Sequence, residues 1–262
     1  MRRVLAVVAV VALVALAGCS GGLSGDGSAG PDSGASAAAE LPAVTEQTWT
    51  LANESVVFEA LFQQHRSTLA NASSYQFTRN LESETGSTTL STIAVDHEEQ
   101  RAMLSVESSS RDSDTTQIQE TYVADSVVYS KHGTDSDPSY SRNDQNITGE
   151  QFAQFAAEQS RVSVSGGVPE ALEFEYVGVE DGAYVFEADS ISASERTSFD
   201  AANVTGVSSR LAVAPEGYVQ EFSLTLVVDG PDGEQSADVL VETAGYNETT
   251  VTEPDWTDKT GE

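Results

Sequence analysis

From Ser74 onward the side chains alternate. Tyr75, Phe77, Arg79 and Leu81 fall on one side of an extended chain, and Gln76, Thr78 and Asn80 fall on the other. A period of two is the repeat of a β-strand. The alternation returns in residues 88–95, 101–107, 116–124 and 126–130, separated by polar turns at 84–86, 96–100, 108–113 and 125–126. Strands joined by such turns predict an antiparallel meander. One face of it can pack on a core while the other meets water.

A second series follows later in the chain. Leu172, Phe174 and Tyr176 lead to the turn Glu180-Asp181-Gly182, and Tyr184, Phe186 and Ala188 return from it. Leu211 and Val213 run through Pro215-Glu216-Gly217 into the alternation of 218–228, which 229–233 turns back through Ala237, Val239 and Val241. Between and before the strands, the apolar spacing changes to three and four. Val57, Phe58, Leu61, Phe62 and Leu69 predict a helix opened by Asn53-Glu54-Ser55 and closed at 71–74. Its His65, four positions after Leu61, is expected half-buried and bonded to a backbone group. Thr148-Gly149-Glu150-Gln151 starts a second helix carrying Phe152, Phe155 and Ala156 and ending near Ser160. Residues 132–147 read as a polar loop, and a short third helix is expected around 194–202. The fold class expected is therefore α+β, a large, curved, half-barrel-like antiparallel sheet of about ten strands with two or three helices on one side. A sheet that wide must curl or split.

The chain begins differently. Arg2 and Arg3 precede an unbroken apolar run over residues 4–17, which ends in Leu16-Ala17-Gly18-Cys19. The basic start, apolar run and small residues fit a secretory signal. The run falls short of the roughly 20 residues that a membrane span needs. Leu16-Ala17-Gly18-Cys19 resembles the lipobox of exported lipoproteins, which implies cleavage before Cys19 and a lipid on its sulfur. An ordinary signal with a chance cysteine is the alternative. Cys19 is the single cysteine, so an internal disulfide is excluded. Residues 19–48, rich in Gly, Ser, Ala, Asp and Pro, read as a lipidated flexible tether. Three regions follow: a signal over 1–18, the tether over 19–48, and one extracytoplasmic domain over 49–262.

Charge narrows the partners. The chain carries 12 basic and 42 acidic residues, a net charge of −30, and losing residues 1–18 removes two of the basic ones and no acid. Such a surface repels nucleic acid and anionic membrane surfaces. An acid-rich composition with Lys131 and Lys259 as its only lysines resembles that of proteins from extreme halophiles. Molar salt, with a Debye length of roughly 3 Å, screens the self-repulsion. An acidic protein that binds cations or basic partners is the other reading.

Motifs of catalysis are missing. No Gly-x-Ser-x-Gly elbow, phosphate loop or dinucleotide fingerprint occurs. The histidines, His65, His97 and His132, have no partner at metal-ligand spacing. Asp96-His97-Glu98-Glu99 is rich in ligand atoms but sits between two strands, where a solvated turn is expected. No enzyme, cofactor or metal site is expected. Asn53, Asn71, Asn146, Asn203 and Asn247 each open an Asn-x-Ser/Thr sequon. They are either glycan acceptors of an exported chain or the turn and helix-end asparagines of a Ser/Thr-rich sequence.

Four stretches carry a wider resemblance: the lipobox at 16–19, and residues 69–78, 211–219 and 251–256. In them the chain resembles uncharacterised surface lipoproteins of salt-loving archaea. At the level of fold it is similar, more distantly, to the periplasmic lipoprotein-carrier (LolA-like) and mycobacterial lipid-binding lipoproteins. That likeness implies a lipid or other apolar ligand in the hollow of the sheet, on a protein held to the outer side of the cell membrane through Cys19. A surface interaction or structural module without a small-molecule site is the alternative.

Overall fold

The protein is described by a computed structural model covering residues 41–111, 113–162, 168–192, 203–230 and 233–261. Cys19, the signal, most of the tether and the helix expected at 194–202 lie outside the described residues.

Helix α1 (Phe58–Asn71) precedes six strands, β1 (Ser74–Ser83), β2 (Ser87–Asp96), β3 (Arg101–Ser110), β4 (Ser113–Ala124), β5 (Val127–Thr134) and β6 (Asp137–Asp144). Helix α2 (Gly149–Gln159) and the single turn α3 (Val168–Ala171) lead to β7 (Glu175–Glu180), β8 (Ala183–Ala188), β9 (Val204–Val213), β10 (Val219–Gly230) and β11 (Gly233–Ala244). All eleven strands form one curved, open antiparallel sheet in the order β6-β5-β4-β3-β2-β1-β11-β10-β9-β8-β7. Each strand series is thus a meander. The first runs outward from β1, and the second runs inward to β11. The long-range pair β1–β11 joins them, with Phe77 opposite Thr243 and Arg79 opposite Val241.

The expected α+β class with a large curved sheet holds, with corrections in detail. The stretch 132–147 is largely strand: β5 continues to Thr134, and Asp137–Asp144 pairs with it in register from Thr134↔Asp137 to Val127↔Asp144. β6 is an edge strand with mostly exposed residues, so it needed no apolar alternation to form. The folded part starts earlier than residue 49. Val44 and Trp49 are buried in the main core and Leu41 packs against it. Tyr184 Oη also donates to the Pro42 carbonyl at 2.8 Å, so the last residues assigned to the tether are core. Helix α1 starts at Phe58 with Val57 as its cap, after a bend in which Glu54 takes φ 67°. Leu172 bridges Ile191, and strand β7 begins beyond it at Glu175.

The two long helices cover one face of the sheet, called the inner face here. From α1, Phe58, Leu61 and Leu69 join Tyr75, Phe77, Phe222, Leu211 and Phe186 in one core. Helix α2 starts on a capping box: Thr148 accepts from the Gln151 amide while the Gln151 side chain accepts from the Thr148 amide. It contributes Phe152 and Ala156 to the same core. On the opposite, outer face the C-terminal stretch lays Val251 and Trp256 on Tyr122 and Ala124.

Candidate ligand-binding site

Covering of the inner face is partial, and each strand records where it stops. Along β2, Val95 and Ile93 are buried, whereas Ser91, Thr89 and Ser87 are half-buried. Along β10 the change falls between Leu224 and Leu226, along β11 between Val239 and Ala237, and along β9 between Ser209 and Val207. On β1 it falls between Phe77 and Arg79. Beyond this line the inner face has two walls. Leu81, Ala237, Leu226 and Val207 make one of them apolar. Ser91, Thr89, Ser108, Gln117 and Gln119 make the other mostly polar, with Val106 between Ser91 and Gln119. Thr89 Oγ1 and Ser108 Oγ lie 3.1 Å apart across strands β2 and β3.

Charge is distributed unequally between the faces. Registers place Glu82, Glu107, Glu120, Glu187, Glu221, Asp238 and Glu242 on the outer face. Among the described strand residues whose register places them on the inner face, the one carboxylate is Asp137, at the start of edge strand β6. The single guanidinium or ammonium group there is Arg79, and the exposed His132 of β5 shares the face. Arg210, by contrast, is on the outer face and meets Glu180 at 2.7 Å, with Glu187 and Glu221 each at 3.7 Å. Lys131, also outside, pairs with Glu120 at 2.7 Å.

A cleft of about 950 Å³ opens where β8 ends. Phe58, Leu172, Phe174, Ala188 and Ser209 line it, and so do the carboxylates Glu173, Glu175, Glu187 and Asp189 and the guanidinium of Arg210. It therefore reaches the inner face beside the start of α1.

Two of the three histidines pack into the core region, and His132 is exposed on β5. His65 is fully buried, beyond the half-burial expected, and it makes two backbone contacts. The Val219 amide donates to Nδ1 at 3.1 Å, which leaves Nε2–H to donate to the Ser160 carbonyl at 2.9 Å. Burial lowers its pKa to about 4. His97 lies between Tyr75 and Phe152, with ring centroids 5.9 and 5.7 Å away, and burial lowers its pKa as well. Asp96 Oδ1 accepts from the Glu99 amide at 2.9 Å, so the tetrapeptide 96–99 is a closed turn. Among the described residues no group of three His, Cys, Asp or Glu side chains is placed to hold a metal ion.

The five sequon asparagines are all exposed. They are scattered over the surface rather than gathered into a site. Asn53 Nδ2 donates to Ser55 Oγ at 2.7 Å and Asn71 Nδ2 to the Ser67 carbonyl at 2.7 Å. Asn247, at φ 62°, accepts from the Ser73 amide at 2.8 Å through Oδ1. Asn146 precedes α2 and Asn203 precedes β9. Among the described residues no helix is long and apolar enough to cross a membrane.

One protein family, described as a family of unknown function (DUF7537), matches residues 4–260. No curated protein matches. Among solved structures, the crystal structure of the di-domain ARO/CYC StfQ from the steffimycin biosynthetic pathway is similar over 77% of this chain and 83% of that chain, at 10% identity. Its TM-score is 0.15, and the likeness carries no argument about fold or ligand.

Proposed function

Because the chain belongs to DUF7537, a family of unknown function, no activity comes with membership, and we propose from the geometry a binding role for the inner face. The protein holds an amphiphile whose apolar part lies on Leu81, Leu226 and Val207, in the half of the inner face that the helices leave uncovered. The partition of charge carries this reading. In a chain with 42 acidic residues, the described strand residues of the inner face include no carboxylate short of the edge strand. An apolar chain laid there meets no carboxylate that its binding would desolvate. The cleft beside α1 supplies a route to the outside.

In this proposal the domain is anchored to the outer side of the cell membrane by lipid on Cys19. The leader, the single cysteine and the tether support that placement, and the acidic, lysine-poor composition supports a salt-rich exterior. The distant likeness to lipid-carrier lipoproteins points to the same ligand class. Binding rather than catalysis is proposed, since His65 is held within the core and the half-buried His97 lies between Tyr75 and Phe152.

Organic extraction and native mass spectrometry of the purified full chain test the reading, together with titration of hexadecan-1-ol. Leu226→Glu puts a carboxylate on the inner face and is expected to abolish binding. Thr225→Glu, one residue away on the outer face, is expected to leave it intact. A chain that releases no lipid and does not bind hexadecan-1-ol would overturn it.

A further inference from the structure

Arg79 is the residue that the core does not explain. It follows Tyr75 and Phe77 on the inner face of β1, at the line where helix cover ends. Its Nε is sealed from solvent and has no hydrogen-bond partner. Burial alone pulls its pKa down, and no carboxylate pulls it back up. By contrast Arg210 and Lys131, both on the outer face, meet acids at 2.7 Å. A buried donor left unpaired is destabilising.

A second polar atom in the same state lies beside it. Thr243 is 8% exposed, and its Oγ1 has no hydrogen-bond partner either. Register puts Thr243 opposite Phe77 and Val241 opposite Arg79, so Thr243 is the diagonal neighbour of Arg79 on the same face. Ser91, directly opposite Arg79 on β2, adds a hydroxyl from the other side. Direct and diagonal neighbours of a sheet face stand about 5 and 7–8 Å apart, within reach of an arginine side chain. Three strands thus bring one guanidinium and two hydroxyl donors together, and among the described strand residues no acid on the inner face lies nearer than the edge strand. Donors without acceptors describe the complement of an anion.

We infer that Arg79, Thr243 and Ser91 form a seat for the anionic group of an amphiphile, whose apolar chain runs from there along Leu81, Leu226 and Val207. The ligand class is a single-chain anionic amphiphile, for which a fatty carboxylate is the simplest probe. A guanidinium binds a carboxylate through two parallel N–H···O bonds, and the threonine and serine hydroxyls supply further donors. The seat rests on the proposed hollow and deepens it: the hollow takes the chain, and Arg79 chooses the charge.

The test compares sodium hexadecanoate with hexadecan-1-ol, which differ at the head group alone. Both are titrated into the full chain carrying Cys19→Ser, and into the same chain with Arg79→Met, Arg79→Lys or Thr243→Val. Hexadecanoate is expected to bind the parent more tightly than the alcohol. Arg79→Met should weaken hexadecanoate by about tenfold or more, the worth of a charge-assisted hydrogen bond, and leave the alcohol within about twofold. Arg79→Lys should keep most of the preference. Thr243→Val should weaken hexadecanoate by severalfold and leave the unliganded fold as stable as before, because its hydroxyl has no partner to lose. Equal loss of both ligands in Arg79→Met, or loss of neither, overturns the seat while the hollow stands. Displacement of hexadecanoate by millimolar inorganic phosphate would assign the site to a free anion instead. Failure of both probes to bind the parent chain removes the hollow and the seat together.

Discussion

The Val219 amide donates to Nδ1 of His65 at 3.1 Å, joining α1 to the start of β10 across 154 positions of sequence. That bond requires a neutral ring, because Nδ1 must offer a lone pair. Burial, opposed in part by the Ser160 carbonyl, lowers the His65 pKa from 6.5 to about 4. Between these values the unfolded chain binds a proton that the folded one refuses. Stability from this residue is therefore fully present above pH 6.5 and is lost as pH falls toward 4. The loss amounts to roughly 3 kcal/mol over that window. Urea unfolding at steps from pH 7 to pH 4 should show it as a slope that His65→Gln, compared at the same pH values, lacks. Parallel slopes in the two proteins would count against the assignment.

Gly217 closes the turn between β9 and β10 at φ +89°, where a side chain is strained whatever the space. Space is also short, since an added Cβ would press on Gln64 Cγ of α1. The turn is pinned to the same helix, with Thr68 Oγ1 donating to the Glu216 carbonyl at 2.9 Å. Gly217→Ala should cost about 1–3 kcal/mol. A melting temperature equal to the parent's would show that the turn relaxes freely.

Helix α2 depends on its first turn, because the helix is short and its apolar face is narrow. The two reciprocal bonds of the capping box are 3.3 Å from the Gln151 amide to Thr148 Oγ1 and 2.9 Å from the Thr148 amide to Gln151 Oε1. Thr148→Ala removes one acceptor and should cost about 1 kcal/mol. Thr148→Ser keeps that acceptor and should cost less. A chemical-denaturation series on the three proteins checks the order.

Period-two alternation made most strands legible, because one face of each meets a core. The same signal failed for β6, whose two faces are both largely exposed, so Ser139, Ser141 and Asn143 carry no apolar contrast. It placed Arg79 beside Tyr75, Phe77 and Leu81, and that mismatch was the visible trace of the candidate seat. Its meaning was hidden, because Thr243 is a neighbour only through the β1–β11 pairing, across some 160 residues. Local patterning does not encode a non-local pair. Val44 was obscured for another reason. It sits in a stretch of tether-like composition, and one buried apolar side chain does not shift its average.

The C-terminal stretch holds the far wing of the sheet from outside. Trp256 is buried against Val251, Tyr122 and Ala124, and Tyr140 of β6 lies 6.4 Å from it between ring centroids. Lys259 stands 5.5 Å above the Tyr140 ring. This small cluster is separate from the main core, which packs on the opposite face. Strands β5 and β6 bring few buried side chains of their own, so their stability rests largely on that cover. Trp256→Ala should cost about 3 kcal/mol through the cavity it leaves. The loss should be local, because stability is distributed by cooperative unit rather than spread evenly. Amide hydrogen exchange should quicken in β4, β5 and β6 and stay slow in β9, β10 and β11. Trp256→Phe keeps most of the apolar contact and gives up only an indole N–H that has no partner, so it should hold the wing closed. Uniform acceleration across all eleven strands in Trp256→Ala would instead make the C-terminal cover part of the global fold.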